Sequence, residues 1–137
     1  MRLISDAAWA ALTIRGEAES EAFEGKVAVG EVILRRTKLK YSSDGTVPGT
    51  VLHELQFSCW NTMDPNRLRI AKSDTMDPMV QECLDAWSEA VRGSSYAKGA
   101  LLYYNPALAD PLWLPSTIAV AKIGKHIFCA LKGKNDG

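Results

Sequence analysis

Gly16-Glu17-Ala18-Glu19-Ser20-Glu21-Ala22-Phe23-Glu24 places four glutamates, Glu17, Glu19, Glu21 and Glu24, within eight residues, between two stretches of helical periodicity. Before it, Ser5 or Asp6 can cap a helix in which Ala8, Leu12 and Arg15 line one side and Trp9, Thr13 and Gly16 the next, with Gly16 as the expected stop. After it, Glu24 to Lys38 reads as a second helix, with Val27, Glu31 and Leu34 at helical spacing and Ala28, Val32 and Arg35 beside them. Val27, Val29, Val32, Ile33 and Leu34 reach several sides of this second helix, which predicts a largely buried element despite its β-branched content. The acidic run is therefore a corner between two helices.

Outward from that corner, Arg35, Arg36, Lys38 and Lys40 fall where the second helix should end, and positive charge there complements the helix dipole. Tyr41 to Gly49, rich in Ser, Gly, Asp and Pro, predicts a loop, followed by a short helix or turn around Val51-Leu55. Asp77-Pro78 is a helix start, with Asp as cap and Pro in the first turn, and Val80, Leu84, Trp87 and Val91 carry an apolar face to a stop at Gly93. The period then changes. Ala100-Tyr104 is a short run rich in aromatic residues, and Thr117-Ile123 and His126-Leu131 flank Gly124-Lys125, a pair suited to a tight hairpin turn. The expected fold class is α+β, a mainly helical core with a small antiparallel three-stranded sheet from the C-terminal third. Residues 1–131 form one domain, and 132–137 a polar tail.

Composition narrows the function classes. The 137 residues are 47% hydrophobic and 23% charged, which is globular, and no stretch approaches the length of an apolar membrane span. Sixteen basic and sixteen acidic residues cancel, so no overall field would hold the chain on nucleic acid or an anionic membrane. Cys59, Cys83 and Cys129 are an odd number without paired spacing, which predicts small buried thiols and no disulfide framework. Met1-Arg2-Leu3-Ile4 leads straight into the first helix without the features of a secretory signal, and this predicts a cytoplasmic product. His53 and His126 are the only histidines, with no Cys-x-x-Cys or His-Glu-x-x-His, so no metal set and no cofactor is expected.

The stretch from Ile14 to Val29 with Val32-Ile33-Leu34-Arg35-Arg36 after it resembles the signature of the SleB-type cell wall hydrolases, the group that contains spore cortex-lytic enzymes. Three further blocks match that family in order: Gln56-Phe57-Ser58-Cys59-Trp60, Gly99 to Pro106, and Ile123-Gly124-Lys125-His126-Ile127-Phe128. The resemblance implies a lysozyme-like catalytic domain that cleaves the β-1,4 bond between N-acetylmuramic acid and N-acetylglucosamine, usually as a lytic transglycosylase leaving a 1,6-anhydro sugar. It also implies that the first Glu of the Gly-Glu-Ala segment, here Glu17, is the catalytic acid. Glu19 and Ser20 depart from the usual Arg-Gly of the family, and Ala22 stands where Pro is common.

The residue chemistry is compatible. Breaking a glycosidic bond needs a proton delivered to the leaving oxygen, by a carboxyl that its environment keeps protonated. Trp9 and Phe23 are candidate apolar neighbours of Glu17, with Glu19 and Glu21 as like charges. Glu21 can serve as the second carboxylate of a hydrolytic muramidase if its side chain faces the cleft. In the transglycosylase route Glu17 alone suffices. The bland reading of the run is a solvated turn in which Glu21 or Glu24 favours a helix N-terminus and Glu17 pairs with a base.

Tyr104 and Asn105 are the candidate cleft residues of the aromatic run, one to stack on a sugar face and one to read an N-acetyl group. The alternative is that one tyrosine packs in the core and Asn-Pro turns the chain. Gln56, Phe57 and Trp60 are candidates for the same groove, and Trp113 for its cover. His126 is expected to anchor the sheet edge through a hydrogen bond, with a position near the cleft as the alternative. The expected partner is the peptidoglycan glycan strand, acted on by a monomer. The expected setting is a phage endolysin released through a membrane pore, or a wall-degrading part of a phage particle. The rival classes are a non-catalytic glycan-binding or structural module and a metal-dependent amidase.

Overall fold

A computed structural model describes residues 5–53 and 77–133. The Ser5 hydroxyl accepts the Ala8 N–H at 3.1 Å and opens helix α1, Asp6–Ala18. This helix runs through Gly16 to Ala18, which corrects the expected stop. A glycine inside a helix costs only about 1 kcal/mol, and Ile14 and Ala18 on either side are buried, so packing carries the helix past it. A tight corner at 19–22 leads to α2, Phe23–Leu39, which ends on Lys40 in the left-handed conformation (φ 54°).

Helix α2 is the centre of the fold. Gly25 to Gly30, Val32, Ile33 and Arg36 are all buried, so only a narrow strip near Glu24, Arg35, Lys38 and Leu39 meets solvent. Gly30 is where its neighbours come closest. A Cβ there would lie 3.4 Å from Ile14 on α1 and 3.4 Å from Ala90 on the fourth helix. A short helix α3, Val47–Val51, is capped by the Thr46 hydroxyl, which accepts the Gly49 N–H at 3.0 Å. It lies before the turn expected at 51–55, because Thr46-Val47-Pro48 carries the cap and the N-terminal proline; residues 54 and 55 lie outside the described residues. Helix α4, Pro78–Arg92, has the expected limits. Asp77 accepts the Met79 N–H at 2.8 Å, and Gly93 ends the helix at φ 111°. Asp77 also receives Arg15 at 2.8 Å, which ties the start of α4 to α1.

Glu31 fastens the chain beyond α4. Its carboxylate accepts from Ser94 Oγ and from the backbone N–H groups of Tyr96 and Ala97. Past that brace lie β1, Leu102–Tyr104, β2, Thr117–Ile123, and β3, His126–Leu131, in the antiparallel order β1-β3-β2. Gly124 (φ 57°) and Lys125 make the two-residue turn between β2 and β3.

The register decides which residues face the helices. Tyr103 lies opposite Phe128, and Ile123 opposite His126, so these four share one face with Ala121. That face joins the main core, built from Ala10, Ile14, Val29, Val32, Ile33, Cys83, Trp87 and Phe128. Leu102, Tyr104, Ile127 and Cys129 lie on the other face, under a cover made by Trp113 and Leu114. Among the described residues no helix is long and apolar enough to cross a membrane.

Gly30→Leu forces a side chain into the gap among Ile14, Trp87 and Ala90. It is expected to cost about 1–3 kcal/mol, read as a lower urea midpoint at unchanged slope. An unchanged midpoint would mean that the helices are free to move apart.

Candidate active site

Glu17 sits on the last turn of α1, half-buried. The Tyr103 hydroxyl donates to Glu17 Oε1 at 2.8 Å, joining the acidic corner to β1. Behind the phenol, Phe128 lies at 5.5 Å between ring centroids and His126 at 5.1 Å, edge-on with 72° between the planes. Tyr103 is thus held on its apolar sides by rings from β3, and its polar end is directed at the carboxylate.

Arg36 closes this assembly from α2. It is 3% exposed, its Nε donates to the Leu101 carbonyl at 2.6 Å, and its guanidinium lies over the Tyr41 ring at 5.8 Å. Burial lowers its pKa, and Tyr103, Tyr41 and Glu17 oppose that shift. The bond to Leu101 fixes the backbone just before β1 and so helps set the position of Tyr103.

Glu21 turns inward from the same corner. It is 7% exposed, and its Oε1 accepts the Lys125 N–H at 2.9 Å and stands 3.8 Å from His126 Nδ1. Contact with the hairpin is direct: a Cβ on Gly124 would fall 2.0 Å from Glu21 Oε1. Lys26 Nζ donates to the Glu21 carbonyl and pairs with Glu82 at 3.1 Å, which locks the corner against α4. Burial lowers the His126 pKa below its ordinary value, while Glu21 and Glu17 pull it up and Lys125 pushes it further down. The ring is therefore neutral near pH 7.

Of the residues singled out from the sequence, Glu17, Glu21 and His126 are brought together; His126, expected to anchor the sheet edge, lies instead on the central strand β3 with Nδ1 3.8 Å from Glu21. The tyrosine that reaches Glu17 is Tyr103 rather than Tyr104. Strand alternation turns Tyr104 to the opposite face, edge-on to Trp113 at 5.7 Å. Asn105 turns the chain: its side-chain oxygen accepts the Ala107 N–H at 2.9 Å and its carbonyl accepts from Leu108 and Ala109. Gln56, Phe57 and Trp60 lie outside the described residues. Phe23, expected against Glu17, is 37% exposed, and Trp9 packs on the core cluster; among the described residues the ring bonded to Glu17 is Tyr103 of β1, itself backed by rings from β3.

Sequence reasoning missed Tyr103 and Arg36. Arg36 reads from the sequence as part of the basic cluster that complements the dipole at the end of α2. However, it falls one turn after Val32 and Ile33, both fully buried, and that spacing marks it as inward-facing. Among the described residues, no three His, Cys, Asp or Glu side chains are grouped to hold a metal ion. Cys83 and Cys129 are free and buried, and burial pushes the Cys83 thiol up to about 12, which removes it as a nucleophile.

A family described as Cell Wall Hydrolase matches residues 20–129. Glu17 lies just ahead of that span. The spore cortex-lytic enzyme of Bacillus subtilis is 29% identical over 119 residues, 87% of this chain and 35% of its own length. That of Oceanobacillus iheyensis is 30% identical over 116 residues, 85% of this chain and 38% of its own. The chain thus spans little more than a third of the curated relatives it matches. Among solved structures, the catalytic domain of the germination-specific lytic transglycosylase SleB from Bacillus anthracis superposes with a TM-score of 0.74 at 30% identity, covering 90% of this chain and 93% of that domain. The catalytic domain of the Bacillus cereus SleB protein gives a TM-score of 0.70 at 29% identity, covering 90% and 88%.

The buried neutral imidazole makes stability depend on pH with a definite sign. His126 has a lowered folded pKa, so the folded protein binds fewer protons there than the unfolded chain. Its contribution is complete above the unfolded value of about 6.5 and is lost as pH falls through the lower folded one. Urea midpoints at about pH 7.5 and about pH 5 should therefore fall more for the wild type than for His126→Gln. Equal losses would refute the assignment.

Proposed function

The chain belongs to the cell wall hydrolase family, and on that footing we propose that it cleaves the β-1,4 bond between N-acetylmuramic acid and N-acetylglucosamine in peptidoglycan, as a lytic transglycosylase in which Glu17 is acid and base. The hydrogen bond from Tyr103 to Glu17 Oε1 is the observation that carries this reading. It holds one carboxyl in a fixed orientation, at a helix end, against a cluster of rings from the sheet. A solvated acidic turn has no use for such a partner.

The chemistry follows from that arrangement. Oε1 accepts from Tyr103, and in this reading the transferable proton is carried on Oε2. Glu17 delivers that proton to the bridging oxygen as the bond from the muramyl C1 breaks, and N-acetylglucosamine leaves with its 4-hydroxyl restored. The Glu17 carboxylate then takes the proton of the muramyl 6-hydroxyl, whose oxygen bonds to C1 and closes the 1,6-anhydro ring. The carboxyl is regenerated and no water is consumed. The half-buried setting near the phenol and the buried guanidinium of Arg36 gives this step a partly desolvated, pre-oriented environment.

The burial of Glu21 favours this route over a hydrolytic muramidase. The second carboxylate of a hydrolase, as nucleophile or as base for water, must present an open face about 5 to 9.5 Å from the acid. The Glu21 side chain is 4% exposed, its Oε1 is engaged by the Lys125 N–H, and the Gly124 backbone packs against it. The relatives support this reading of the substrate class, since the Bacillus anthracis neighbour is described as a lytic transglycosylase.

Glu17→Gln keeps an acceptor for Tyr103 and removes the transferable proton. Clearing of purified peptidoglycan is expected to fall by roughly 10²–10⁴-fold with an unchanged circular dichroism spectrum. Clearing by both proteins, or by neither, would remove the assignment. Mass analysis of wild-type products is expected to find anhydro-muramic ends, and reducing ends alone would replace the transglycosylase with a muramidase.

A further inference from the structure

Glu21 and His126 are two ionisable side chains of the site for which the proposed chemistry has no direct use. Both side chains are largely buried, Glu21 at 4% and His126 at 11% exposure. Glu21 Oε1 is held by the Lys125 N–H and lies 3.8 Å from His126 Nδ1, a buried nitrogen without a hydrogen-bond partner. A neutral imidazole carries one proton, and a lone pair turned toward a carboxylate is repelled by it. The proton therefore belongs on Nδ1, facing Glu21. The same ring stands edge-on to Tyr103 at 5.1 Å, and Tyr103 donates to Glu17 at 2.8 Å.

We propose that Glu21 and His126 are a pair of positioning residues for Glu17: Glu21 sets the tautomer and orientation of the His126 ring, the ring backs the Tyr103 phenol, and the phenol hydroxyl holds the Glu17 carboxyl in its proton-donating orientation. Neither member of the pair touches the glycan. The proposal rests on the reading of Glu17 as the acid.

A consequence follows from the 3.8 Å gap, which is longer than a hydrogen bond. Protonation of His126 would place a full positive charge there, and contraction to a charge-assisted bond of about 2.8 Å would draw the ring some 1 Å toward Glu21. A ring moved by that much would change its edge contact with the phenol, and the orientation of Glu17 would loosen. Among the described residues, the ionisable groups that face His126 are Glu21 from the α1–α2 corner, Glu17 from α1, Tyr103 from β1 and Lys125 from the hairpin turn. The two carboxylates favour the imidazolium, whereas Lys125 and burial oppose it.

The test is the pH dependence of kcat and KM on soluble, peptide-free glycan strands for the wild type, Glu21→Gln, His126→Phe and Glu17→Gln, with the His126 ring titrated by NMR. The wild type should lose kcat at acid pH with the midpoint of the His126 titration. Glu21→Gln should move both midpoints down together by about one pH unit and lower kcat by ~10- to 100-fold, with KM kept within about twofold. His126→Phe, which keeps a ring against Tyr103, should abolish this acid loss, and it carries the test if Glu21→Gln does not fold. Profiles that superimpose on the wild type after scaling would overturn the proposal, as would losses that fall on KM. Full activity in Glu17→Gln would instead remove the acid assignment. An inactive Glu17→Gln with an unmoved acid limb in the other variants would remove only the positioning pair.

Discussion

Burial of α2 on nearly every side is the constraint from which the remaining architecture follows. A helix whose residues 25–30, 32, 33 and 36 are all buried must be enclosed by other elements, and α4, α1 and α3 supply most of that enclosure. Glycine at position 30 lets α1 and α4 approach it together. Three of its polar side chains are given a task inside the protein. Lys26 holds the acidic corner, Glu31 gathers the loop after α4, and Arg36 fixes the backbone that enters β1. A buried polar group left unpaired would cost about 1–3 kcal/mol, so these three groups dictate where the loops can run.

The site is assembled from those fixed points. The corner at 19–22 and the hairpin turn at 124–125 are far apart in sequence, and they meet through one buried carboxylate on one backbone N–H. That contact sets the height of β3 against α1. Antiparallel pairing then carries Phe128 to Tyr103, and Arg36 holds the approach to β1. Glu17 is reached by a phenol whose position is determined by three elements rather than by its own strand. A single hydrogen bond at 2.8 Å can therefore orient a carboxyl on a helix end, where side chains otherwise sample several rotamers.

Two glutamates four residues apart thus have different environments. Glu17 is half-buried with a phenol donor, and Glu21 is enclosed by a hairpin turn and an imidazole. The separation follows from the end of α1 at Ala18, after which the chain turns Glu21 away from the helix surface and under the sheet.

Much of this was legible in the chain alone. Helical periodicity, the Asp77-Pro78 start with its Gly93 stop, and the Gly124-Lys125 turn each depend on neighbours within a few residues, so they predict α2, α4, β2 and β3 closely. The acidic corner and the residue type needed for proton transfer were also readable there. What local sequence does not contain is the choice between partners of equal propensity. Tyr103 and Tyr104 are the same residue at adjacent positions, and only the register of β1 on β3 turns one to Glu17 and the other to Trp113. Arg36 looks like one more cation at a helix end until the buried Leu101 carbonyl gives it a place. The physical reason is that side-chain alternation and helix ends are set by neighbours, whereas the direction in which a face points is set by what is packed against it.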